Sequence, residues 1–352
     1  MGPLSLRACP MARDAQSLTD GVPLLPNSVI LPWVGYGTYK LGKADARPLT
    51  LEALKQGYRC IDTAFIYGGE TTETQVGLAI QDALQQGILA DRKDLVIQTK
   101  HWRNYHGYEP TLQCLELSLK RLQVEWIDVW LMHWPGPAWN TMGRRKDVIA
   151  KDGPWQYASH SKDDLPVLRA ETWRAMEKAL QEGKVKAIGV SNFSVAHLER
   201  LKQTATIWPP AVNQIECHPL YPQKELLEYC AKEGIVVQAY ASLGGQDAGK
   251  AFWKKVYPPK KGEQPVTKLL NSPPVLNLSK EVDRTPAQVL LRWALEKNLA
   301  LVPKSSSPER MSENASIFDF SLSLEQIEKL EVALATAIAE AARKEGESVA
   351  DM

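Results

Sequence analysis

The rest of the chain is best read outward from the stretch Arg59-Cys60-Ile61-Asp62-Thr63-Ala64-Phe65-Ile66-Tyr67. It begins as an apolar, strand-like run, places an acid at its end and puts a tyrosine five residues after that acid. Neither residue is informative alone, because an Asp at a strand end is usually a turn or cap residue and a Tyr is usually packed. Two later predicted strands, however, end at Lys100 and His133. The acid, ammonium, imidazole and phenol together predict a proton-donating site.

Composition excludes several classes of protein. The chain has 352 residues, 44% of them hydrophobic, and its 42 basic and 41 acidic residues give a net charge of +1. This balance provides no field that would favour nucleic acid or an anionic membrane. No apolar run approaches the roughly 18 residues that a membrane-spanning helix needs. We expect a monomer that acts on a small molecule, without a nucleic-acid or membrane partner.

The cysteines argue for a reducing compartment. They are five in number, scattered, and have neither CxxC nor zinc-site spacing. Reduced thiols of this kind are typical of the cytosol, so we expect a cytoplasmic protein. His101 with His106, and Cys217 with His218, resemble ligand pairs but have no third ligand at a recognisable spacing. Loop or packing roles are expected for these residues, and no metal site is predicted.

The two ends of the chain are predicted to lie outside the folded domain. Residues 1–20 include Pro3 and Pro10, which break any helix, and predict a disordered tail in preference to a cleaved transit peptide. Residues 336–352 are rich in Ala, Glu, Lys and Arg and predict a solvated C-terminal tail. Residues 21–335 are expected to form a single domain, since no low-complexity linker or long repeat divides them.

Strand and helix signals alternate along most of the chain. Several strands are short apolar runs without strict alternation, such as Leu95-Val96-Ile97, which suits strands buried on both faces. Eight strand–helix repeats predict an α/β fold, a closed parallel (β/α)8 TIM barrel, rather than an open doubly wound sheet. The predicted strands are 32–36, 59–62, 95–99, 127–132, 185–190, 211–215, 235–240 and 299–302. The predicted helices are 48–56, 71–86, 110–122, 169–182, 194–204, 223–233, 285–297, 308–314 and 323–342.

A barrel also predicts where the catalytic groups lie, because such sites form where strands end and loops begin. Polar residues occupy these positions throughout the chain: Asp62, Lys100, His133, Ser191, Asn192, Gln214, Tyr240 and Lys304. A dinucleotide-binding sheet is set aside, because the Gly35-Tyr36-Gly37-Thr38 turn lacks the third glycine of GxGxxG. The long segments 135–167 and 244–274 are expected to overhang the C-terminal face of the barrel.

The chemistry that suits these groups is carbonyl reduction, which needs a hydride donor and a proton for the alkoxide that forms. Tyrosine has an ordinary pKa of ~10, and a neighbouring ammonium lowers it. An Asp beside the Lys would keep that ammonium charged, and a His could donate a hydrogen bond to the carbonyl oxygen. Tyr67, Lys100, Asp62 and His133 supply these four roles.

Through these residues and their neighbours the chain resembles the aldo-keto reductase superfamily, roughly over residues 30–335. The resemblance implies a (β/α)8 barrel that binds a nicotinamide cofactor, with Tyr67 as general acid, Lys100 and Asp62 tuning it, and His133 orienting the carbonyl. A His instead of a Glu at position 133 favours carbonyl reduction over steroid double-bond reduction. The motifs, in order, are Gly57-Tyr58-Arg59-Cys60-Ile61-Asp62-Thr63-Ala64 with Tyr67, Val76-Gly77-Leu78-Ala79-Ile80, Gln98-Thr99-Lys100-His101-Trp102, Asp128-Val129-Trp130-Leu131-Met132-His133-Trp134-Pro135, Gly183-Lys184-Val185-Lys186-Ala187-Ile188-Gly189-Val190-Ser191-Asn192-Phe193, Asn213-Gln214-Ile215-Glu216-Cys217-His218-Pro219 and Val302-Pro303-Lys304-Ser305.

The resemblance also implies the cofactor and its contacts. Ser191, Asn192 and Gln214 match positions that hydrogen-bond the carboxamide, and Tyr240 matches the ring that stacks on nicotinamide. NADPH/NADP+ is expected rather than NADH, because two cations near the adenosine end suit a ribose 2′-phosphate. The remaining cofactor positions are Gly37, Thr38, Tyr39, Asp62, Ala241, Ser242, Leu243, Gly244, Lys304, Ser305, Ser306, Arg310, Glu313 and Asn314.

Aromatic side chains are expected to line the substrate pocket and to favour an apolar or sugar-like aldehyde: Tyr39, Trp102, Trp134 and Trp253. Three departures from the family pattern leave the substrate open. The loop from Gly68 to Gln75 is longer than usual, the turn 240–244 lacks the usual Ser-Pro, and the C-terminal tail is unlike the usual substrate-contacting loop. The alternative function is that of a non-catalytic regulatory or partner-binding protein on the same barrel.

Overall fold

A computed structural model describes residues 11–26, 29–137, 165–245, 249–259, 262 and 264–345. Within these ranges, eight parallel strands form one sheet whose neighbours follow the order of the sequence. The residues just before the first strand close the sheet onto its last strand, since Val34 bridges Leu301 and the Gly35 N–H donates to the Leu301 carbonyl at 2.7 Å. The predicted (β/α)8 barrel is confirmed. Its strands are β3 (Tyr36–Gly37), β4 (Cys60–Asp62), β5 (Val96–His101), β6 (Ile127–Met132), β7 (Val185–Ser191), β8 (Val212–Glu216), β9 (Val236–Tyr240) and β10 (Ala300–Leu301).

Strand β6 shows why the barrel strands are short apolar runs. All of its residues are buried, because it pairs with β5 and β7 and is covered on both faces. Its single acid, Asp128, accepts hydrogen bonds from the Ile97 N–H at 2.9 Å and from Arg92 at 2.6 Å. This charge is therefore satisfied at the N-terminal end of the strand, away from the end where the polar residues gather.

The helices that follow the strands begin and end at the residues that the sequence suggests. The Thr285 hydroxyl accepts a hydrogen bond from the Gln288 N–H, and Pro286 occupies the first helical position. Gly234, with φ of 74°, ends another helix in the left-handed region. The helices that match predicted ones are α1 (Ala46–Lys55), α2 (Thr72–Gln85), α3 (Tyr108–Leu122), α4 (Leu165–Gln181), α5 (Val195–Lys202), α6 (Lys224–Glu233), α9 (Pro286–Glu296), α10 (Pro308–Ala315) and α11 (Leu324–Glu345).

Three elements differ from the prediction. The predicted strand 32–36 is reduced to the short barrel strand β3, and an antiparallel hairpin that was not predicted precedes it, with strands β1 (Gly21–Leu24) and β2 (Val29–Pro32). Pro32 ends β2 because it has no N–H for a further ladder bond. The segment expected to be a long loop contains α7 (Lys250–Val256), and α8 (Pro273–Glu281) follows it with prolines in its first turn. Residues 138–164 of the other long segment lie outside the described residues.

Both ends of the chain are more ordered than the sequence suggests. Ala12 is fully buried and donates its N–H to Asn298 at 2.8 Å, although it falls in the predicted disordered tail of residues 1–20. Helix α11 continues to Glu345 with Ala341 and Ala342 buried, so the predicted solvated tail from residue 336 is partly helical. Apolar contacts of small side chains produce this order. Residues 1–10 and 346–352 lie outside the described residues. No helix in the described ranges is long and apolar enough to cross a membrane.

Candidate active site

A buried ion pair lies at the C-terminal ends of β4 and β5. The Lys100 ammonium donates to both Asp62 carboxylate oxygens, at 2.7 and 2.9 Å, and to the Thr63 carbonyl at 2.7 Å. The exposed fractions of the two charged side chains are 0% and 5%. Burial lowers the pKa of Lys100, and the Asp62 charge opposes that change. Asp62 is thus placed as the counter-charge of the lysine, without which the buried ammonium would be costly.

Tyr67 lies in the turn after β4, and its hydroxyl is 3.5 Å from the Lys100 Nζ. The ammonium was expected to lower the pKa of this phenol, but its pKa lies well above the ordinary 10.0. Desolvation is the largest cause, followed by the negative charge of Asp62. Tyr67 as a whole is only half-buried. The rise in its pKa therefore comes from the groups that pack closely around its ring. Tyr67 therefore keeps its proton, which is the state that a general acid requires.

His133 follows β6 and faces the phenol, with ring centroids 6.0 Å apart. Only 9% of the residue is exposed. Burial, followed by the charge of Lys100, holds the pKa of His133 well below the ordinary 6.5. A neutral imidazole has a single N–H to donate. His133 can therefore hydrogen-bond a carbonyl oxygen, but it does not carry a spare proton at neutral pH.

Two buried glutamines complete this group and were not among the predicted site residues. The Gln98 Nε2 donates to Asp62 Oδ1 and to Gln238 Oε1, at 2.6 Å each. Both glutamines are fully buried. Each directly follows an apolar pair in its strand, and a lone amide in such a run is the signal that could have found them. Their strand register places Gln98 beside Asp62 and Gln238 beside Gln214.

The four residues predicted to contact nicotinamide lie together at the ends of three neighbouring strands. The Ser191 hydroxyl donates to the Gln214 carbonyl at 2.8 Å. Asn192, in the left-handed region with φ of 63°, donates through Nδ2 to the His133 carbonyl at 2.9 Å. The Tyr240 hydroxyl donates to Asn192 Oδ1 at 2.7 Å, which fixes one end of its ring. This group is thereby linked to His133.

Two backbone segments predicted for the dinucleotide flank the same end of the barrel. Thr38 bonds the Asp62 carbonyl through both its N–H and its hydroxyl, at 2.9 Å each, next to Gly37 and Tyr39. After β9, the Gly244 N–H donates to the Ala241 carbonyl at 2.8 Å and forms a tight turn. Ala241 and Gly244 have φ of 54° and 100°, and Ser242 and Leu243 lie between them.

The residues predicted for the adenosine end lie in the loop after β10 and in α10. Lys304 and Arg310 are exposed, and neither forms an ion pair within the described ranges. The Tyr36 hydroxyl donates to the Ser305 carbonyl at 2.7 Å and fastens the loop to β3. Glu313 accepts a hydrogen bond from Thr285. Ser306 is exposed and Asn314 is buried.

Three of the four predicted pocket aromatics surround the catalytic groups. The Tyr39 ring, 55% exposed, lies 5.1 Å from that of Tyr67. The Trp102 ring lies 5.4 Å from that of His133, and Trp134 stacks on the same imidazole at 6.3 Å. These rings give the site a largely aromatic rim.

Trp253, the fourth predicted pocket residue, lies elsewhere. It is 1% exposed and stacks on Tyr257 with ring centroids 6.3 Å apart and an interplanar angle of 11°. Its other described aromatic contact is Phe252. Helix α7, which carries Trp253, packs against α11, and the indole belongs to the main hydrophobic core. The pocket role predicted for Trp253 is therefore replaced by a packing role.

One protein-family model matches most of this chain. The model described as the aldo/keto reductase family matches residues 34–335. The match begins at the residue that bridges β10 and ends within α11, so it includes the whole barrel and all four catalytic candidates.

Similar proteins and structures agree with this match. The glyoxal reductase of Bacillus subtilis (strain 168) is 37% identical over 317 residues, which cover 90% of this chain and 93% of the relative. Aldo-keto reductase family 1 member A1 of Xenopus tropicalis is 35% identical over 298 residues, covering 85% and 84%. A crystal structure of an aldo/keto reductase from Brucella melitensis has a TM-score of 0.68 at 34% identity and covers 90% of this chain and 98% of that chain.

Proposed function

Because the chain belongs to the aldo/keto reductase family, we propose that it reduces an aldehyde or ketone to an alcohol with NADPH, taking the proton from Tyr67. The family places the chain among oxidoreductases that act on carbonyl groups with nicotinamide cofactors. The single observation that carries the finer proposal is the buried arrangement of Lys100, Asp62 and Tyr67 beside a neutral His133.

The proton chemistry follows from the charges around the phenol. The His133 N–H donates to the substrate oxygen and orients the carbonyl. As negative charge develops on that oxygen, Tyr67 transfers its hydroxyl proton and the alcohol forms. The phenolate that remains is stabilised by the Lys100 ammonium, which Asp62 keeps charged and in place. Solvent then returns a proton to the phenolate.

The residues present fit a nicotinamide dinucleotide phosphate. When bound, the nicotinamide would supply the hydride that the carbonyl carbon receives. Ser191, Asn192 and Gln214 would hold its carboxamide, and the Tyr240 ring, fixed through its hydroxyl, would stack on one face. The exposed cations Lys304 and Arg310 have no carboxylate partner within the described residues, so they are available to a ribose 2′-phosphate.

The enzymatic proposal is tested by following NADPH absorbance with an aromatic aldehyde. Tyr67→Phe removes the proton donor, and we expect kcat to fall by about 10² or more while NADPH binding is retained. The matched control is Tyr229→Phe, which removes a surface phenol that is bonded to Glu199, and it should leave kcat unchanged. Absence of turnover in the wild-type protein, despite tight NADPH binding, would favour the non-catalytic alternative.

The cofactor preference has its own test. Arg310→Met removes one of the two cations proposed for the 2′-phosphate, so we expect KM for NADPH to rise about tenfold, which corresponds to ~1.4 kcal/mol. KM for NADH, which has no 2′-phosphate, should not change in the same variant. Equal efficiency of the wild-type protein with NADPH and NADH would contradict the proposal.

The substrate class is proposed from the rim of the site. Tyr39, Trp102 and Trp134 present aromatic faces beside one imidazole and one phenol, which favours apolar or sugar-like aldehydes. A panel of aldoses, aliphatic aldehydes and cyclic ketones with NADPH would rank them. We further propose that the protein acts as a monomer in the cytoplasm, where its buried thiols Cys60, Cys114, Cys217 and Cys230 would stay reduced.

A further inference from the structure

Four side chains close a hydrogen-bonded ring inside the barrel, below the catalytic tyrosine. Asp62 Oδ1 accepts from the Nε2 atoms of Gln98 at 2.6 Å and Gln214 at 2.9 Å. Gln238 Oε1 accepts from the same two Nε2 atoms, at 2.6 Å each. The exposed fractions of the four residues lie between 0% and 3%. We call this group, formed by Asp62, Gln98, Gln214 and Gln238, the amide ring.

The ring brings together two pairs of neighbouring strands. Asp62 pairs in register with Gln98 between β4 and β5, and Gln214 pairs with Gln238 between β8 and β9. The hydrogen bonds therefore join opposite sides of the barrel. One pair contains the counter-charge of Lys100, and the other contains the proposed carboxamide ligand.

The need to match each donor with an acceptor fixes the orientation of every amide in the ring. The Asp62 carboxylate, paired with Lys100, can only accept, so Gln98 and Gln214 must both present their NH2 groups to it. Each NH2 has one further hydrogen, and both of these hydrogens are directed at the same atom of Gln238, which must be the oxygen. Reversing any one amide would place two donors or two acceptors against each other.

Gln214 consequently has both N–H groups engaged within the ring. Its Oε1 is the only part of the amide left for a ligand, and it can only accept a hydrogen bond. A carboxamide bound there must present its NH2 group. Asp62 and Gln238 supply the two acceptors that hold this NH2 group. Gln98 bonds the same two acceptors but not Gln214 itself.

We propose that Gln238 is a positioning residue that, together with Asp62, holds Gln214 as a fixed hydrogen-bond acceptor for the NH2 group of the nicotinamide carboxamide. Gln98 bonds Asp62 and Gln238 but not Gln214. This inference rests on the proposed function. It implies that the site selects for its ligand. A ligand with a hydrogen-bond donor at the carboxamide position forms a bond to Gln214, and a ligand without that donor does not.

The test compares two cofactors in five proteins. NADP+ carries the carboxamide, and its 3-acetylpyridine analogue has a methyl in place of the NH2. The variants are Gln98→Met, Gln238→Met and the double variant, since Met is close to Gln in shape but has no amide. Gln86→Met on the surface is the matched control. Dissociation constants are read from quenching of tryptophan fluorescence, and far-UV circular dichroism and thermal melting confirm that each variant folds.

In the wild-type protein and the Gln86→Met control we expect NADP+ to bind at least tenfold more tightly than the analogue. Gln238→Met removes one of the two acceptors of the Gln214 NH2 group, so it should weaken NADP+ binding about fivefold and leave the analogue unchanged. Gln98→Met leaves both Gln214 bonds in place and should change NADP+ binding much less, so the double variant should lose little more than Gln238→Met alone.

Other outcomes separate the possible failures. Equal weakening of both cofactors, or as large a loss in Gln98→Met as in Gln238→Met, would mean that the glutamines have a general structural role, and would overturn the inference while the proposed function stands. Should Gln238→Met fail to fold, Gln238→Leu also removes the acceptor oxygen and decides the question. A wild-type protein that bound neither cofactor would overturn the proposed function and this inference with it.

Discussion

The pKa shifts of individual residues determine how the reaction should depend on pH. Burial and the charge of Lys100 hold the pKa of His133 well below 6.5, so the imidazole stays neutral as the pH falls through that value. On the alkaline side, burial lowers the pKa of Lys100, and loss of its proton removes the charge that stabilises the phenolate. We expect kcat for reduction to be level from about pH 6 to 8 and to fall at higher pH. A decline centred at the ordinary histidine pKa would show that His133 titrates normally.

A change at Asp62 should move that alkaline decline. Asp62→Asn leaves the Lys100 ammonium buried without its counter-charge, and desolvation then lowers the lysine pKa further. The fall in kcat should therefore occur at lower pH than in the wild-type protein, with a lower plateau. The measurement is the same pH series with saturating NADPH and aldehyde. An unchanged alkaline limb would show that Asp62 does not maintain the lysine charge.

At this scale the sequence indicates the strand-end candidates better than the amides that bond to them. Tyr67, Lys100, Asp62 and His133 could be found because charged or titratable side chains stand at strand ends. Gln98 and Gln238 are amides within strands. The sequence alone does not show which side chains they meet across the interior of the barrel. The direction of the Tyr67 pKa was wrong for a related reason, since desolvation depends on packing that the sequence does not show.

Among the elements, the loop after Tyr67 is held in place by contacts with Arg121 of α3. Gly68, Gly69 and Glu70 are all in the left-handed region, with φ of 61°, 64° and 73°. The Glu70 carboxylate pairs with Arg121 of α3 at 2.7 Å. The same guanidinium lies 3.7 Å from the fully buried Glu73 and 4.1 Å above the Phe65 ring. One arginine therefore fixes the chain before and after Tyr67.

We expect Arg121→Met to be strongly destabilising and to reduce activity. The variant leaves Glu73 buried without a cation, and the free energy of unfolding should fall by about 2–4 kcal/mol. Because the Tyr67 turn loses its anchor, kcat should fall with it. Urea denaturation and steady-state kinetics measure both effects. Arg47→Met, which breaks an exposed pair with Asp82, is the matched control and should cost much less. Comparable losses in the two variants would contradict the anchoring role.

At the element scale, hydrophobic periodicity together with cap residues and glycines predicted nine helices to within a few residues, because these residues mark the helix ends. They did not predict α7 or α8, whose sequences are rich in proline and lysine and resemble loops. The hairpin of β1 and β2 was not predicted either, because all of its residues except Pro32 precede the predicted strand 32–36. Tertiary packing decides these cases, and local sequence carries little of that information.

For the whole molecule, the barrel was predictable because eight repeats of one pattern admit few topologies. The side chains that fill its interior were less predictable from the sequence. His101 and His106 were expected to have loop or packing roles, and both are fully buried with rings 4.9 Å apart. His101 also contacts Trp130 edge-on. Two neutral imidazoles thus lie within the fold, and they should affect its stability toward acid.

Burial lowers the pKa of His101 from 6.5 to about 4, and lowers that of His106 well below 6.5. Between the folded and unfolded pKa values, the unfolded chain binds a proton that the folded chain does not. The stability from His101 is therefore complete above pH 6.5 and is lost as the pH falls toward 4, by roughly 3 kcal/mol in total. His101→Phe removes this proton uptake. We expect unfolding free energies measured by urea denaturation to fall less steeply from about pH 7 to 4.5 in the variant than in the wild-type protein. Parallel slopes would show that His101 is not kept neutral by the fold.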